Sequence, residues 1–355
     1  MPAQFSLPDI VRPSLALRDS WDGESAATFG CRFHDLHELL PTFSRQPFTV
    51  NPAVGRGFSP AVGPYVGRDF SPAVARPFRA ADIPANPHLD VIVRNPDDFL
   101  PVPVPVATVS TRYALVQHRD AMDAVAHALA RRKIPPDDLP VDVTTSEFGS
   151  RLACSVRLPD TFDFAETDGT RMALTIECFN SVDGSTAFRV LAGWFRFICS
   201  NGLIIGNTKL DFRRAHRPSL ELGRVEWALE RGLRAADLER KRFERWQERE
   251  VPWPQVTQWA DRTVAEEWGV LAAARLLHIA RTGHDARFAT ARWRGPLSQR
   301  PMVPGASVPG SAPPANTVYK VSQILAWLAG QTREVAARIE RRSQVVPLVR
   351  PLARA

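Results

Sequence analysis

RLACSVRL, from Arg151 to Leu158, alternates residue by residue, with Leu152, Cys154, Val156 and Leu158 on one side and Arg151, Ala153, Ser155 and Arg157 on the other. RMALTIECF (Arg171 to Phe179) repeats the pattern, setting Met172, Leu174, Ile176 and Cys178 against Arg171, Thr175 and Glu177. A period of two is that of a strand with one buried and one solvated face. FRVLAGWFRFICSNGLIIG (Phe188 to Gly206) follows, apolar on both sides from Val190 to Phe195, as a central strand is. Asn201-Gly202, between Ile198-Cys199 and Leu203 to Ile205, predicts a two-residue type I′ hairpin, because both central residues need positive φ. The stretch therefore predicts three or four successive antiparallel strands. Its solvated face carries arginines and no catalytic grouping.

Upstream, TRYALVQHRDAMDAVAHALARRK leads from a short strand (Tyr113 to Val116) into a helix. Ala121, Val125, Ala128 and Leu129 have helical spacing, Arg131, Arg132 and Lys133 favour its C-terminus, and Pro135-Pro136 ends it. FLPVPVPVA (99–107) predicts an extended, polyproline-like lead-in. Residues 1–85 predict a flexible, extended Pro/Gly-rich segment, apart from a short helix or partner-binding piece at FHDLHELL (Phe33 to Leu40). This segment holds a tandem repeat, GRGFSPAV at Gly55 to Val62 and GRDFSPAV at Gly67 to Val74. Its prolines and glycines exclude a long helix or a central strand. Two readings stay open: a docking arm presenting Phe58 and Phe70 to a host protein, and a repeat-expanded linker.

Downstream, charged and apolar helices are predicted from Leu220 to about Glu250, Thr257 to about Arg281 and Val318 to about Arg342. A flexible insert (295–316) interrupts them, and residues 346–355 form a basic, frayed tail. The expected fold class is α+β: a curved antiparallel sheet with hairpins packed by helices (sheet core 107–212), then a helical part (219–342), in one domain spanning 86–345.

With 45 Lys and Arg against 38 Asp and Glu, the net charge is +7, which suits an anionic partner. The same excess, nearly all arginine in a chain rich in alanine and proline, is also what biased codon usage writes. Cys31, Cys154, Cys178 and Cys199 show no paired metal-ligand spacing, and three of them fall on apolar strand positions. No secretory leader and no apolar run of about 20 residues is seen, so a cytoplasmic protein without a membrane segment is expected.

Catalytic signatures are lacking. There is no GxSxG, no phosphate-cradling glycine loop and no HExxH. His278 and His284 flank Asp285 at a helix end, which reads as surface histidines more readily than as a metal site. No cofactor is expected. One enzymatic alternative keeps Glu147, Glu177 or Asp183 as Mg²⁺ ligands of a nuclease-like site assembled from distant residues.

Basic clustering remains. KLDFRRAHRP (Lys209 to Pro218) holds Lys209, Arg213, Arg214, His216 and Arg217 with Asp211 as its single acid, and Phe212 at its centre as a stacking ring. Aromatic plus arginine beside a polar sheet face is a recurrent way to hold single-stranded nucleic acid. The later helix is discounted, because its arginines alternate with Glu221, Glu226, Glu230, Glu239, Glu244 and Glu248 as a self-paired, solvated face does.

RYALVQHRDAMDAV, the strand ending in WFRFICSNGLIIG and a helix containing NTVYKVSQIL together resemble the "phage/plasmid-like protein" domain family of plasmids, prophages and genomic islands. The likeness covers roughly Ala107 to Ile339, and the C-S-N-G-L hairpin is its most specific piece. The repeat-bearing N-terminal segment and the Pro-rich insert depart from the family pattern. The resemblance implies a mobile-element setting and one α+β domain, and transfers no catalytic residue. In architecture, a curved antiparallel sheet with a helix and a basic edge is similar to single-strand-annealing proteins.

The leading expectation is a non-enzymatic, cytoplasmic mobile-element accessory protein that binds nucleic acid, single-stranded DNA above all, and forms a homo-oligomer. Its contact residues would be Arg151, Arg157, Arg171 and Arg196 on the sheet face, with Lys209, Phe212, Arg213, Arg214 and Arg217 beside it. The alternative is an anti-defence or regulatory factor acting through the Phe58/Phe70 repeats.

Overall fold

The computed structural model describes residues 19–21, 24–49, 85–165, 171–196, 203–206, 212–288, 294–308, 311 and 313–354. In chain order the strands are β1 (Asp19–Trp21), β2 (Glu24–Arg32), β3 (Phe43–Pro47), β4 (Leu89–Arg94), β5 (Val104–Ser110), β6 (Pro140–Ser146), β7 (Arg151–Arg157), β8 (Phe164–Ala165), β9 (Arg171–Ser181), β10 (Phe188–Arg196), β11 (Leu203–Gly206), β12 (Phe212–Arg214), β13 (His284–Phe288) and β14 (Met302–Ser307). The α-helices are α1 (Leu36–Leu39), α2 (His118–Arg131), α3 (Arg224–Glu248), α4 (Trp253–Trp259), α5 (Ala265–Trp268), α6 (Val270–Thr282), α7 (Val318–Gly330) and α8 (Val335–Arg354).

Among the described residues the main sheet runs β1-β2-β6-β7-β9-β10-β11, all antiparallel, with β8 added to β9 and β12 to β10. It curls into a half-barrel, giving the expected mixed fold with C-terminal helices. The alternation decides one face. Leu152, Cys154, Val156, Met172, Leu174, Ile176 and Cys178 are all buried in one core, joined by Met122 and Val125 of α2 and Val225, Leu229 and Phe243 of α3. Each such valine or leucine contributes about 1.5–3 kcal/mol. Burial of the thiols pushes Cys178 up to about 12 and Cys154 well above its ordinary value, so both behave as small apolar side chains.

The second face is the main correction. Every residue of β9 from Met172 to Ser181 is buried, so both faces of this central strand are covered. Trp21, Ala26 and Ala153 of the sheet pack with Val335, Ala336 and Ile339 of α8. Glu177 lies beneath the same helix, its charge felt by Arg342 and Arg338. The face expected to be wet is closed by α8.

Other differences concern the ends. Residues 19–32 and 43–47, expected to be extended and flexible, supply β1, β2 and β3, while the short helix expected within Phe33 to Leu40 is present as α1, and β2 pairs with β6 from Ala26↔Ser146 to Arg32↔Pro140. The expected frayed tail continues α8 as far as Arg354, through Pro347 and Pro351. The single C-terminal helix is two, α7 and α8, and the insert contributes β14, paired with β13. The helix expected from Thr257 to Arg281 is broken at Gly269, whose φ of +90° no helix interior adopts. A two-residue turn at Asn201-Gly202 would set Ser200 opposite Leu203, whereas Leu203 faces Arg196. The turn itself and the repeats holding Phe58 and Phe70 lie outside the described residues.

A separate three-stranded sheet, β3-β4-β5, is stitched to the main body by Gln117. The Phe43 N–H donates to Gln117 Oε1 (2.9 Å), and Gln117 Nε2 donates to the Phe43 carbonyl (2.8 Å), as a strand neighbour's backbone would. No helix among the described residues is long and apolar enough to cross a membrane.

Candidate nucleic-acid interface

β12 forms a basic edge of the sheet, with Arg213 and Arg214, and its position follows from the strand before it. β10 is longer than either partner on that side, so β11 pairs with its last residues and β12 with Phe188, Arg189 and Val190. The register places Arg213 opposite Arg189 and Arg214 opposite Phe188. Directly opposed residues of an antiparallel pair share a face, so two guanidinium-bearing side chains meet on the α8 side. Arg189 is buried at 7 % exposure, while Arg213 is exposed.

These two arginines line a cleft of about 330 Å³ between the sheet edge and the start of α8. Ser185 and Thr186 contribute from the β9–β10 turn, and Ala336 and Glu340 from α8. The turn is ordered from within: Asp183 Oδ1 accepts from the Ser185 N–H (2.9 Å), and the Ser181 hydroxyl donates to the Thr186 carbonyl (2.8 Å). The cleft has the size of a small-ligand site, with Glu340 as the one carboxylate among the described residues that line it.

After β12, His216 pins the loop. Its ring is buried, stacks on Tyr113 at 5.2 Å between centroids, and Nδ1 sits 3.3 Å from the Ala114 carbonyl. Burial pushes the His216 pKa down, which favours the neutral ring. With His216 inward, Arg214 and Arg217 on either side of it stay exposed. Among the described residues no carboxylate lies within ion-pair distance of Arg213 or Arg217.

The expected face residues divide differently. Arg151 is buried: its Nε donates to Asp183 Oδ2 (2.6 Å) and Nη1 to the Trp21 carbonyl (2.7 Å), so it holds β1 and the β9–β10 turn against β7. Arginine in a strand is usually solvated, and the closing of this face by α8 overturns that expectation. Arg171 is exposed but clamps Asp160 and Asp163, each at 2.6 Å. Arg157 is half-buried and lies near Asp142. Arg196 ends β10 opposite Met172 and Leu203, and Phe212 sits opposite Val190; their side chains, and Lys209 altogether, lie outside the described residues. The structure thus brings Arg213 together with Arg189, which the sequence reading missed. The signal was the length of β10, which left room for a second partner.

The residues considered for metal chemistry are not gathered. Glu177 is buried beneath α8, and Asp183 is bound by Arg151. Burial pushes the carboxyl of Asp285 up, but the Arg275 guanidinium, pairing with both of its oxygens, holds it below the ordinary range. Trp327 Nε1 donates to it as well (3.2 Å). Among the described residues, no three His, Cys, Asp or Glu side chains are placed to hold a metal ion.

The family model described as Domain of unknown function (DUF932) matches residues 105–338, and the chain belongs to that family. No solved structure matches the chain significantly.

Proposed function

We propose that this DUF932-family protein is a mobile-element accessory protein that binds single-stranded nucleic acid, DNA in preference, along the edge strand β12 and not across the face of the sheet. One observation carries the reading: Arg213 stands directly opposite the buried Arg189, and both line the cleft against α8. Glu340 already brings one negative charge to this cleft, and exposed Arg213, with no carboxylate within ion-pair distance among the described residues, is the cation that an external anion would meet. A phosphate fits that role, with the Ser185 and Thr186 hydroxyls as further donors. Arg214 and Arg217 extend the positive edge on both sides of the His216 anchor, so a strand tracking the edge meets several guanidiniums in succession. The bidentate geometry of arginine suits phosphate. The mobile-element setting comes from the family resemblance alone.

The experiment is binding of a labelled ~40-mer, single- and double-stranded, across a salt series, to the wild type and to Arg213→Glu/Arg214→Glu/Arg217→Glu. Expected is a steep negative dependence of affinity on salt in the wild type, a preference for the single strand, and a loss of at least about tenfold in the variant. Unchanged affinity in the variant, with its fold intact, would remove β12 from the interface.

A further inference from the structure

The outward side of α3 carries a stripe that the self-pairing of this helix neutralises only in part. Part of the helix is self-paired as the alternation predicts, Arg224 with Glu221, Arg234 with Glu230, Arg240 with Glu244 and Arg242 with Glu239. Glu226 and Glu230 also reach across to Arg131 (2.8 Å) at the end of α2 and to Arg132 (2.5 Å) just after it, and Glu239 is buried. Stepping by three and four residues from Arg224 to Arg245, each position is exposed and none is acidic. Five are Arg or Lys, and the other two are Trp227 and Leu238, 60 % and 62 % exposed. Arg231 lies 5.3 Å over the Trp227 ring. Among the described residues, Arg231, Lys241 and Arg245 have no carboxylate within ion-pair distance.

The spacing selects the partner. From Arg224 to Arg245 the stripe is about 30 Å long at 1.5 Å per residue, which suits a polymer of repeating charge better than a single anion. A membrane-surface helix or a helical partner needs a continuous apolar seam. Here the two apolar residues stand about 16 Å apart with cations between them. An exposed tryptophan flanked by cations is instead a stacking platform for a base. α3 is also the helix that follows the β12 loop directly in the chain.

We propose that this stripe is a second contact surface for the same single-stranded nucleic acid, with phosphates on Arg231, Lys241 and Arg245 and a base on Trp227. The identity of the partner rests on the reading of the β12 edge; the surface does not. The test compares two variants of the full chain, Arg231→Ala/Lys241→Ala/Arg245→Ala and Trp227→Ala, with the β12 triple variant, on a fluorescent dT 40-mer across a salt series and on phosphatidylserine vesicles. Among the described residues none of these alanines removes a carboxylate's partner, and thermal melts check the fold. Expected for the α3 triple is a slope of log affinity on log salt shallower by roughly two, since three cations no longer neutralise phosphates. Expected for Trp227→Ala is roughly tenfold weaker binding with the slope unchanged. An α3 triple that binds like wild type, while the β12 triple does not, overturns the second surface and leaves the edge reading standing. The reverse result keeps α3 and removes the edge. A wild type that ignores the 40-mer overturns both, as does vesicle binding lost in the α3 triple without any DNA binding.

Discussion

Glu177, at the centre of β9, is buried with Arg342 of α8 as the strongest positive influence on it. Burial wins that contest: the glutamate pKa is pushed above its ordinary value of 4.5 despite the arginine. A carboxyl whose pKa rises on folding stabilises the fold when protonated, and that contribution is lost as pH rises through the folded value. The melting temperature of wild type relative to Glu177→Gln should therefore fall as pH is raised from 4.5. A difference independent of pH would mean that Glu177 ionises freely beneath the helix.

His118 shifts stability the other way. Its Nε2–H donates to the Gly149 carbonyl (2.7 Å), and Nδ1 accepts from Asn180 Nδ2 (2.9 Å), which defines a neutral tautomer. Complete burial pushes its pKa from 6.5 down to about 4. The unfolded chain then takes up a proton at a higher pH than the folded one. Roughly 3 kcal/mol of stability, present above pH 6.5, should be lost as pH falls toward 4. Denaturant titrations of wild type and His118→Gln at pH 7 and pH 4.5 check this; the variant should show the smaller pH dependence.

Gly149 supplies the carbonyl that His118 uses, at a φ of +69°. A Cβ there would come within 2.6 Å of Pro41 Cγ. Gly149→Ala should cost at least about 2 kcal/mol, from left-handed strain and from displacement of a proline ring. Combined with His118→Gln the losses should add to less than their sum, because both break one hydrogen bond. Strict additivity in a double-mutant cycle would disconnect the two sites.

Arg151 separates structural from binding arginines. Its side chain and that of Asp183 are 11 % and 8 % exposed, so Arg151→Ala leaves a buried carboxylate uncompensated, at a cost of about 3–5 kcal/mol. Arg217→Ala, on an exposed turn, should change stability by less than about 0.5 kcal/mol. Parallel thermal melts would show equal effects only if Arg151 were solvated.

The apolar face of the sheet was legible because strict alternation at Leu152, Cys154, Val156, Met172, Leu174 and Ile176 has one outcome, burial. The opposite face was not, because alternation tells which side is polar and not whether something later covers it. The hint lay in Ala153, Ser155, Ala173 and Thr175, small side chains of the kind that let a helix approach; Arg151 and Glu177 among them drew attention to solvent instead. β2 was missed for a related reason. Its partner β6 lies over a hundred residues away, and no local pattern marks so distant a pairing. The basic edge was readable from Lys209 to Arg217, whereas its partner Arg189 became visible only through the register of β10.

The family match starts at residue 105, after β2, and stops at residue 338, within α8. Trimming the chain to those limits would strip β6 of all seven of its β2 partners and take away most of the helix that roofs Glu177. The result is a naked sheet margin with Val141 and Val143 in it, a template on which other copies can add strands. Recombinant fragments cut at the family boundaries should therefore gather into insoluble assemblies, while chains that keep residues 19–354 stay dispersed.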